Sequence, residues 1–156
     1  MTSAVAIGEE TIELPKKALE EMAFLVGDWE ESGTFNGEEF KGTYSARWAP
    51  GKHCLILKGY SEGSVAAHAS GIGGWSPDRK QYVEHWYVSS GEVRTFRNAL
   101  GDKEGTWTGK WIVCTKEGKT GSGKMALQKM DNEFRFKATG TLDGEEVEVE
   151  AITKKK

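Results

Sequence analysis

From about Gly27 to its end the chain is a series of short runs in which apolar and polar side chains alternate, separated by turns rich in Gly, Asn and Asp. A period of two belongs to strands with one buried face, so strands are the expected theme. Before them, Ala18, Leu19, Met22 and Ala23 recur at helical spacing. This predicts a helix over 15–24, with Pro15 in the first turn, where its missing N–H costs nothing. The apolar stripe of such a helix has to cover something apolar, and the open end of a barrel or a gap in a sheet is the plainest candidate.

Turn chemistry turns several alternations into registers. Asn36-Gly37 can supply the two positive-φ residues of a type I′ hairpin, which sets Trp29 against Tyr44, Gly33 against Phe40 and Gly27 against Ala46 on one face. Asp28–Ser45 and Ser32–Lys41 fall on the other face, and Glu31 is the one charge in the apolar row. Asp143-Gly144 does the same further on: Phe136 faces Ala151, Ala138 faces Val149 and Gly140 faces Val147, with Lys137–Glu150 and Thr139–Glu148 outward. A turn at Asp131-Asn132 adds a third strand, with Leu127 against Phe136 and Met125 against Ala138.

In the middle of the chain, strands over 79–89 and 92–100 flank Ser90-Gly91. An even-length loop there sets Trp86 against Thr95, Val88 against Val93, Tyr82 against Ala99 and Glu84 against Arg97, with Val83, His85, Tyr87, Phe96 and Asn98 behind. Both faces are substantially apolar, so one lines an interior and the other meets the helix or another subunit, as in a homodimer. The strand over 106–115 carries Trp107, Trp111 and Val113 on one face. The loop around Gly118 leaves its register open, and a slip of one residue reverses that face. About ten strands joined by short turns suit an all-β, antiparallel up-and-down meander barrel with a short N-terminal helix, closed between the strand after Gly27 and the last one. The organisation expected is an N-terminal extension over 1–14 and a single barrel domain over 15–156 that includes the helix.

Composition narrows the classes. A chain of 156 residues is the size of one domain and buries roughly two-thirds of its unfolded surface. Its net charge of -3 gives no field to draw in nucleic acid or an anionic membrane, so neither is an expected partner. Cys54 and Cys114 have no metal or redox spacing and read as small apolar fillers. The first residues have no basic n-region, and their apolar stretch stops at Ile7, too short for a signal peptide or a membrane span; a cytoplasmic location is therefore expected.

Leu25-Val26-Gly27-Asp28-Trp29 after a short helix resembles the G-x-W opening of the lipocalin-like (calycin) barrels. The segment from Gly74-Trp75-Ser76-Pro77-Asp78 through Lys80-Gln81-Tyr82-Val83 to Trp86-Tyr87-Val88-Ser89 is similar to the "G-Y-D…K-x-Y-V…W-x-D-S" stretch of an uncharacterised bacterial family with that fold. Here Trp75 replaces its Tyr and Val88 its late Asp. The resemblance extends over roughly Leu19 to Lys156, also through Tyr44 to Gly51 and the tail from Val149. It implies a barrel and no activity. Nitrobindin-like haem barrels share a G-x-W-x-G-x-G opening and hold iron through a late histidine. This chain has Glu31 at the middle glycine and no histidine after His85, so no haem and no other cofactor is expected.

Other motifs reduce to ordinary readings. Gly118 to Lys124 fits G-x-x-x-x-G-K, but Met125 stands where a hydroxyl would ligate magnesium, and the segment lies in a hairpin, so a Gly-rich turn with solvated lysines is expected. His53, His68 and His85 fall on three separate predicted strands without ligand spacing, and no metal site is expected. No nucleophile-elbow pattern is present, and the pattern leaves catalytic residues unknown.

The polar insertions matter more. Glu31, Glu84 and Arg97 interrupt faces made mostly of aromatic and small residues, and a buried charge has to be paired or change its ionisation. Arg47 joins them if its strand bulges. Either Glu84 and Arg97 form an outward surface pair and Glu31 points through a barrel mouth into water, or these groups orient the polar end of a ligand in an aromatic cavity. The second reading assigns Glu31, Tyr44, Trp48, Tyr82, Glu84, Trp86 and Arg97 to binding of a small apolar ligand. The alternative is an acid–base enzyme of the isomerase, lyase or hydrolase type, with Glu31 or Glu84 as base, or His85 as proton shuttle, and an arginine steadying developing charge.

Overall fold

Asn36 and Gly37, with φ of 49° and 84°, and Asp143 and Gly144, with 54° and 85°, make the expected positive-φ turns of two hairpins. In the computed structural model, which describes residues 14–100 and 105–156, these hairpins belong to a closed barrel of ten antiparallel strands in up-and-down order. The strands are β1 Gly27–Phe35, β2 Glu38–Trp48, β3 Cys54–Gly63, β4 Ala67–Ser76, β5 Gln81–Val88, β6 Val93–Leu100, β7 Thr106–Cys114, β8 Thr120–Lys129, β9 Glu133–Leu142 and β10 Glu145–Lys155. Helix α1, Lys16–Leu25, precedes them. The extension expected over 1–14 lies outside the described residues except for Leu14, which packs against the core.

Each strand pairs with its neighbours in sequence, and β1 closes the barrel on β10, Trp29 opposite Lys155 and Phe35 opposite Val149. Asn36 secures that seam. Its side-chain amide donates to the Glu146 carbonyl at 3.2 Å, and its side-chain oxygen accepts from the Glu148 N–H at 2.7 Å. The expected registers of β1 with β2, β9 with β10 and β8 with β9 are the observed ones. On β7, Trp107, Trp111 and Val113 are buried together inside the wall.

The β5–β6 register differs from the even-loop expectation by one residue. The connection Ser89-Ser90-Gly91 has three residues, and Gly91 supplies the left-handed position with φ 90° and donates its N–H to the Val88 carbonyl at 2.8 Å. Glu84 therefore lies opposite Phe96, Trp86 opposite Arg94 and Tyr82 opposite Asn98, while Arg97 pairs with Val83 on the other face. An odd loop reverses every side chain of the strand it delivers, so all the β5–β6 pairs expected from the sequence, Glu84 with Arg97 among them, are replaced.

The helix seals one end. Ala18, Met22 and Leu25 form its buried stripe, one position round from the expected one, with Leu19 37% exposed. Pro15 sits just before the first turn. Met22 and Leu25 pack with Trp29, Ala46, Leu55, Leu57, Tyr82, Trp86, Trp107, Leu127 and Phe134 into one buried cluster. Glu21, at the edge of the stripe, accepts a hydrogen bond from the Trp107 indole at 3.0 Å and faces the Lys129 ammonium at 3.4 Å. Trp111, Val113, Met125 and Ala138 form a second, smaller cluster away from the helix.

Candidate functional site in the open half of the barrel

Eight strands enclose a space that side chains just fill or that holds one small ligand, and diameter grows with strand number. Ten strands therefore leave room unless large side chains occupy it. Towards the helix they do. In the other half, mid-strand residues that point inward are only half-buried, among them Glu31, Tyr44, Glu84, Phe96 and Phe136, so solvent reaches the inner wall there. Glycine lets aromatic rings lie flat on that wall. A β-carbon at Gly71 would come within 2.9 Å of the Trp86 ring, and one at Gly123 or Gly140 within 2.6 or 2.7 Å of the Trp111 ring. Seated there, the rings lie close on the wall and stay buried, Trp86 in the helix cluster and Trp111 in the second one.

The polar groups of this lumen come from five strands. β5 contributes Glu84, whose carboxylate accepts the Trp86 indole N–H at 2.8 Å and lies beside the Tyr82 hydroxyl. Burial pushes the Glu84 carboxyl above its ordinary range, and the Trp86 indole and the nearby Tyr82 hydroxyl offset only part of that. β1 contributes Glu31, which accepts a long bond from the Thr153 hydroxyl of β10 at 3.4 Å. Burial raises its pKa too, tempered by Thr153 and by the positive charge of Arg94. Tyr44 of β2 carries its hydroxyl within the field of both acids. Burial first, then the charges of Glu84 and Glu31, raise its pKa well above the ordinary value for tyrosine. Its hydroxyl, that of Tyr82 and the side-chain oxygen of Asn98 are buried without a complete hydrogen bond among the described residues.

Arg94 stands nearer the open rim and gives its guanidinium to Glu92 at 2.9 Å. The pull of Arg94 and the hydrogen bonds of Ser90 and Arg94 outweigh burial and hold the Glu92 carboxyl below its usual range.

Of the residues assigned from sequence, Glu31, Tyr44, Glu84 and Trp86 line this lumen. Tyr82, 1% exposed, forms its floor against the helix cluster, and Trp48 packs into that cluster. Arg97 does not join them. It lies on the outer wall with Val83 and His85, beside a shallow groove of about 560 Å³ that also touches Asp78 and Arg79. Arg47 points outward and binds the Asp28 carboxylate at 2.7 Å and 2.8 Å. His85 is outside, bonded to the Thr95 hydroxyl at 3.1 Å; His68 stacks on Tyr60, and His53 lies in the loop before β3 rather than on a strand. Among the described residues no three of His, Cys, Asp and Glu are grouped to hold a metal.

The lumen residues not assigned from sequence are Arg94, Phe96 and Asn98, all on β6, and Thr153. The first three were hidden by the reversed face of β6. The signal that finds them is Gly91 read as the left-handed residue of a three-residue loop.

No family model matches the chain, and no curated protein sequence matches it. Solved structures do. Rv2717c from M. tuberculosis superposes with a TM-score of 0.69 at 12% identity, covering 92% of this chain and 99% of its own. A redesigned β-barrel, mFAP1, solved bound to DFHBI, has a TM-score of 0.43 at 12% identity, covering 86% and 97%. The first likeness shows a shared barrel fold. No helix among the described residues is long and apolar enough to cross a membrane.

Proposed function

We propose that the open half of the barrel binds a small, partly apolar molecule, with Glu31, Tyr44, Glu84 and Trp86 as contacts and Arg94, Phe96 and Asn98 added to them. The observation that carries this reading is the contrast between the two halves. One is packed by a helix and large side chains; the other, beside the small Trp111 cluster, keeps half-buried aromatics and acids around the unpaired Tyr44 hydroxyl, above a floor where the Tyr82 hydroxyl and the Asn98 oxygen are also unpaired. Buried polar atoms without partners are costly, and a ligand that pairs them recovers that cost. A cavity lined by aromatic groups with a few convergent polar ones is the usual form of a small-molecule site. The likeness of Gly27-Asp28-Trp29 and of the segment from Gly74 to Ser89 to lipocalin-like barrels fits this reading.

The acid–base alternative keeps its carboxyls but loses two helpers, since His85 and Arg97 face outward. Binding is the better supported reading. Native mass spectrometry of the protein purified from its source tests it. A retained molecule of a few hundred daltons, lost on denaturation, is the expected result. A bare chain whose melting temperature is unmoved by any small apolar compound in a broad screen counts against it.

A further inference from the structure

The sign of charge inside the lumen bears on what kind of molecule fits. Two carboxyls, Glu31 and Glu84, project into the open half, and neither forms an ion pair there among the described residues; the nearby base, Arg94, is engaged by Glu92. Glu84 in particular has a single neutral donor, the indole of Trp86, with the Tyr82 hydroxyl nearby. Asn98, 3% exposed, adds an unpaired acceptor oxygen on the inward row of β6, and the unpaired Tyr44 hydroxyl lies in the field of both acids. Around them stand the ring faces of Tyr44 and Trp86, their centroids 6.0 Å apart, and the edge-to-face pair Phe96 and Phe136 at 6.2 Å.

Three kinds of ligand can be weighed against this arrangement. An anion would bring like charge to two buried carboxyls, with its natural partner, Arg94, already engaged. A hydrocarbon would leave the Asn98 oxygen and the Tyr44 hydroxyl dry and unpaired. A protonated nitrogen brings up to three donors to a set of acceptors, lowers the cost of ionising both acids, and is attracted to aromatic faces. Building on the lumen reading, we infer that the ligand is a small organic amine or other protonated nitrogen compound, its cationic end between Glu31 and Glu84 and its hydrocarbon body against Trp86, Phe96 and Phe136.

Calorimetric titration of the full chain with phenethylamine, phenethyl alcohol and phenylacetate tests this, because the three share a ring and differ in charge. The amine is expected to bind about tenfold or more tighter than the alcohol, the usual gain of a charge-assisted over a neutral hydrogen bond, with phenylacetate weakest. Glu84→Gln should bring the amine down to the affinity of the alcohol. Glu31→Gln, checked for a native circular dichroism spectrum, makes the same comparison if the first variant does not fold. Equal or tighter binding of the alcohol or of phenylacetate overturns the amine inference and leaves the lumen reading intact. Heats at the level of dilution from all three, with unchanged tryptophan fluorescence, remove both.

Discussion

The indole of Trp29 donates its N–H to the carbonyl of Leu25 at 2.9 Å, tying the first strand of the barrel to the last turn of the helix that seals it. Leu25 is among the final four residues of the helix, whose carbonyls lack partners within it, so the indole satisfies an acceptor that would otherwise be buried and bare. Trp29 is fully buried and also meets Phe24 and Phe134, at 5.4 and 5.2 Å between centroids. Trp29→Phe keeps an aromatic ring and removes the donor. The variant is expected to lose about 1–3 kcal/mol in urea unfolding, the cost of an unsatisfied buried carbonyl together with a smaller ring. A change within error would mean that the helix is held by packing alone.

Glycines that seat Trp86 give a second expectation. A methyl at Gly71 would meet the Trp86 ring at 2.9 Å and the His85 carbonyl at 2.5 Å, whereas one at Gly59 would meet that ring at 3.6 Å, an ordinary contact. Gly71→Ala should cost about 1–3 kcal/mol, as overpacking does, and push the indole into the lumen. Gly59→Ala should be close to neutral. Thermal melts and tryptophan emission of the pair check this, and equal melting temperatures would deny that the ring lies on the wall.

How much of this was legible in the sequence depended on the turns. Asn36-Gly37 and Asp143-Gly144 each have a geometry that permits a single register, and the pairs that followed, Trp29 with Tyr44 and Phe136 with Ala151, are the observed ones. Ser89-Ser90-Gly91 permits loops of two, three or four residues, and one glycine at φ 90° decided that Arg94 rather than Arg97 faces the lumen. The alternation on β6 could not correct the error, because Arg94 and Arg97, Phe96 and Thr95, Asn98 and Ala99 make both faces mixed. A buried acid such as Glu31 could be found from the pattern, since it broke a clean apolar row. The closing of one end and the openness of the other depend on contacts between distant strands, which local pattern does not encode.

The two buried acids predict a pH dependence with a definite sign. A carboxyl whose folded pKa is raised contributes stability that is fully present below its unfolded value and is lost as pH rises through the folded one. The ordinary value is 4.5, and Glu84 is raised above it by burial. The groups facing it are Tyr82 and Trp86 on its own strand and Tyr44 from β2, which is coupled in turn to Glu31; Arg94 acts on Glu31. Glu92, shifted the other way, cancels when wild type is compared with Glu84→Gln. The stability of wild type relative to that variant should therefore fall as pH rises from about 4.5 towards neutrality and level off once Glu84 is ionised. Denaturant midpoints across that range check it, and a difference that rises with pH would show Glu84 to be a paired anion.

Phe134 and Phe136, two positions apart on β9, both point inward and provide the sharpest test of the division into halves. Phe134 is buried at 8% exposure in the helix cluster and lies against Trp29 at 5.2 Å, Tyr44 at 6.3 Å and Phe24 at 6.5 Å. Phe136 is half-buried beside Phe96 in the open half. Truncating a ring in a packed core costs the transfer of its atoms and the cavity left behind, about 3–5 kcal/mol, and that is the expected loss for Phe134→Ala. Phe136 packs on one side against the Trp111 cluster and on the other is partly in water, so its removal forfeits only part of the transfer term and opens no closed cavity. Phe136→Ala should cost about 1–2 kcal/mol and weaken binding of any aromatic probe that the lumen accepts. Urea unfolding of both variants, together with titration of the second, separates the two effects. If Phe136→Ala costs as much as Phe134→Ala, the open half is as tightly packed as the sealed one and holds no ligand.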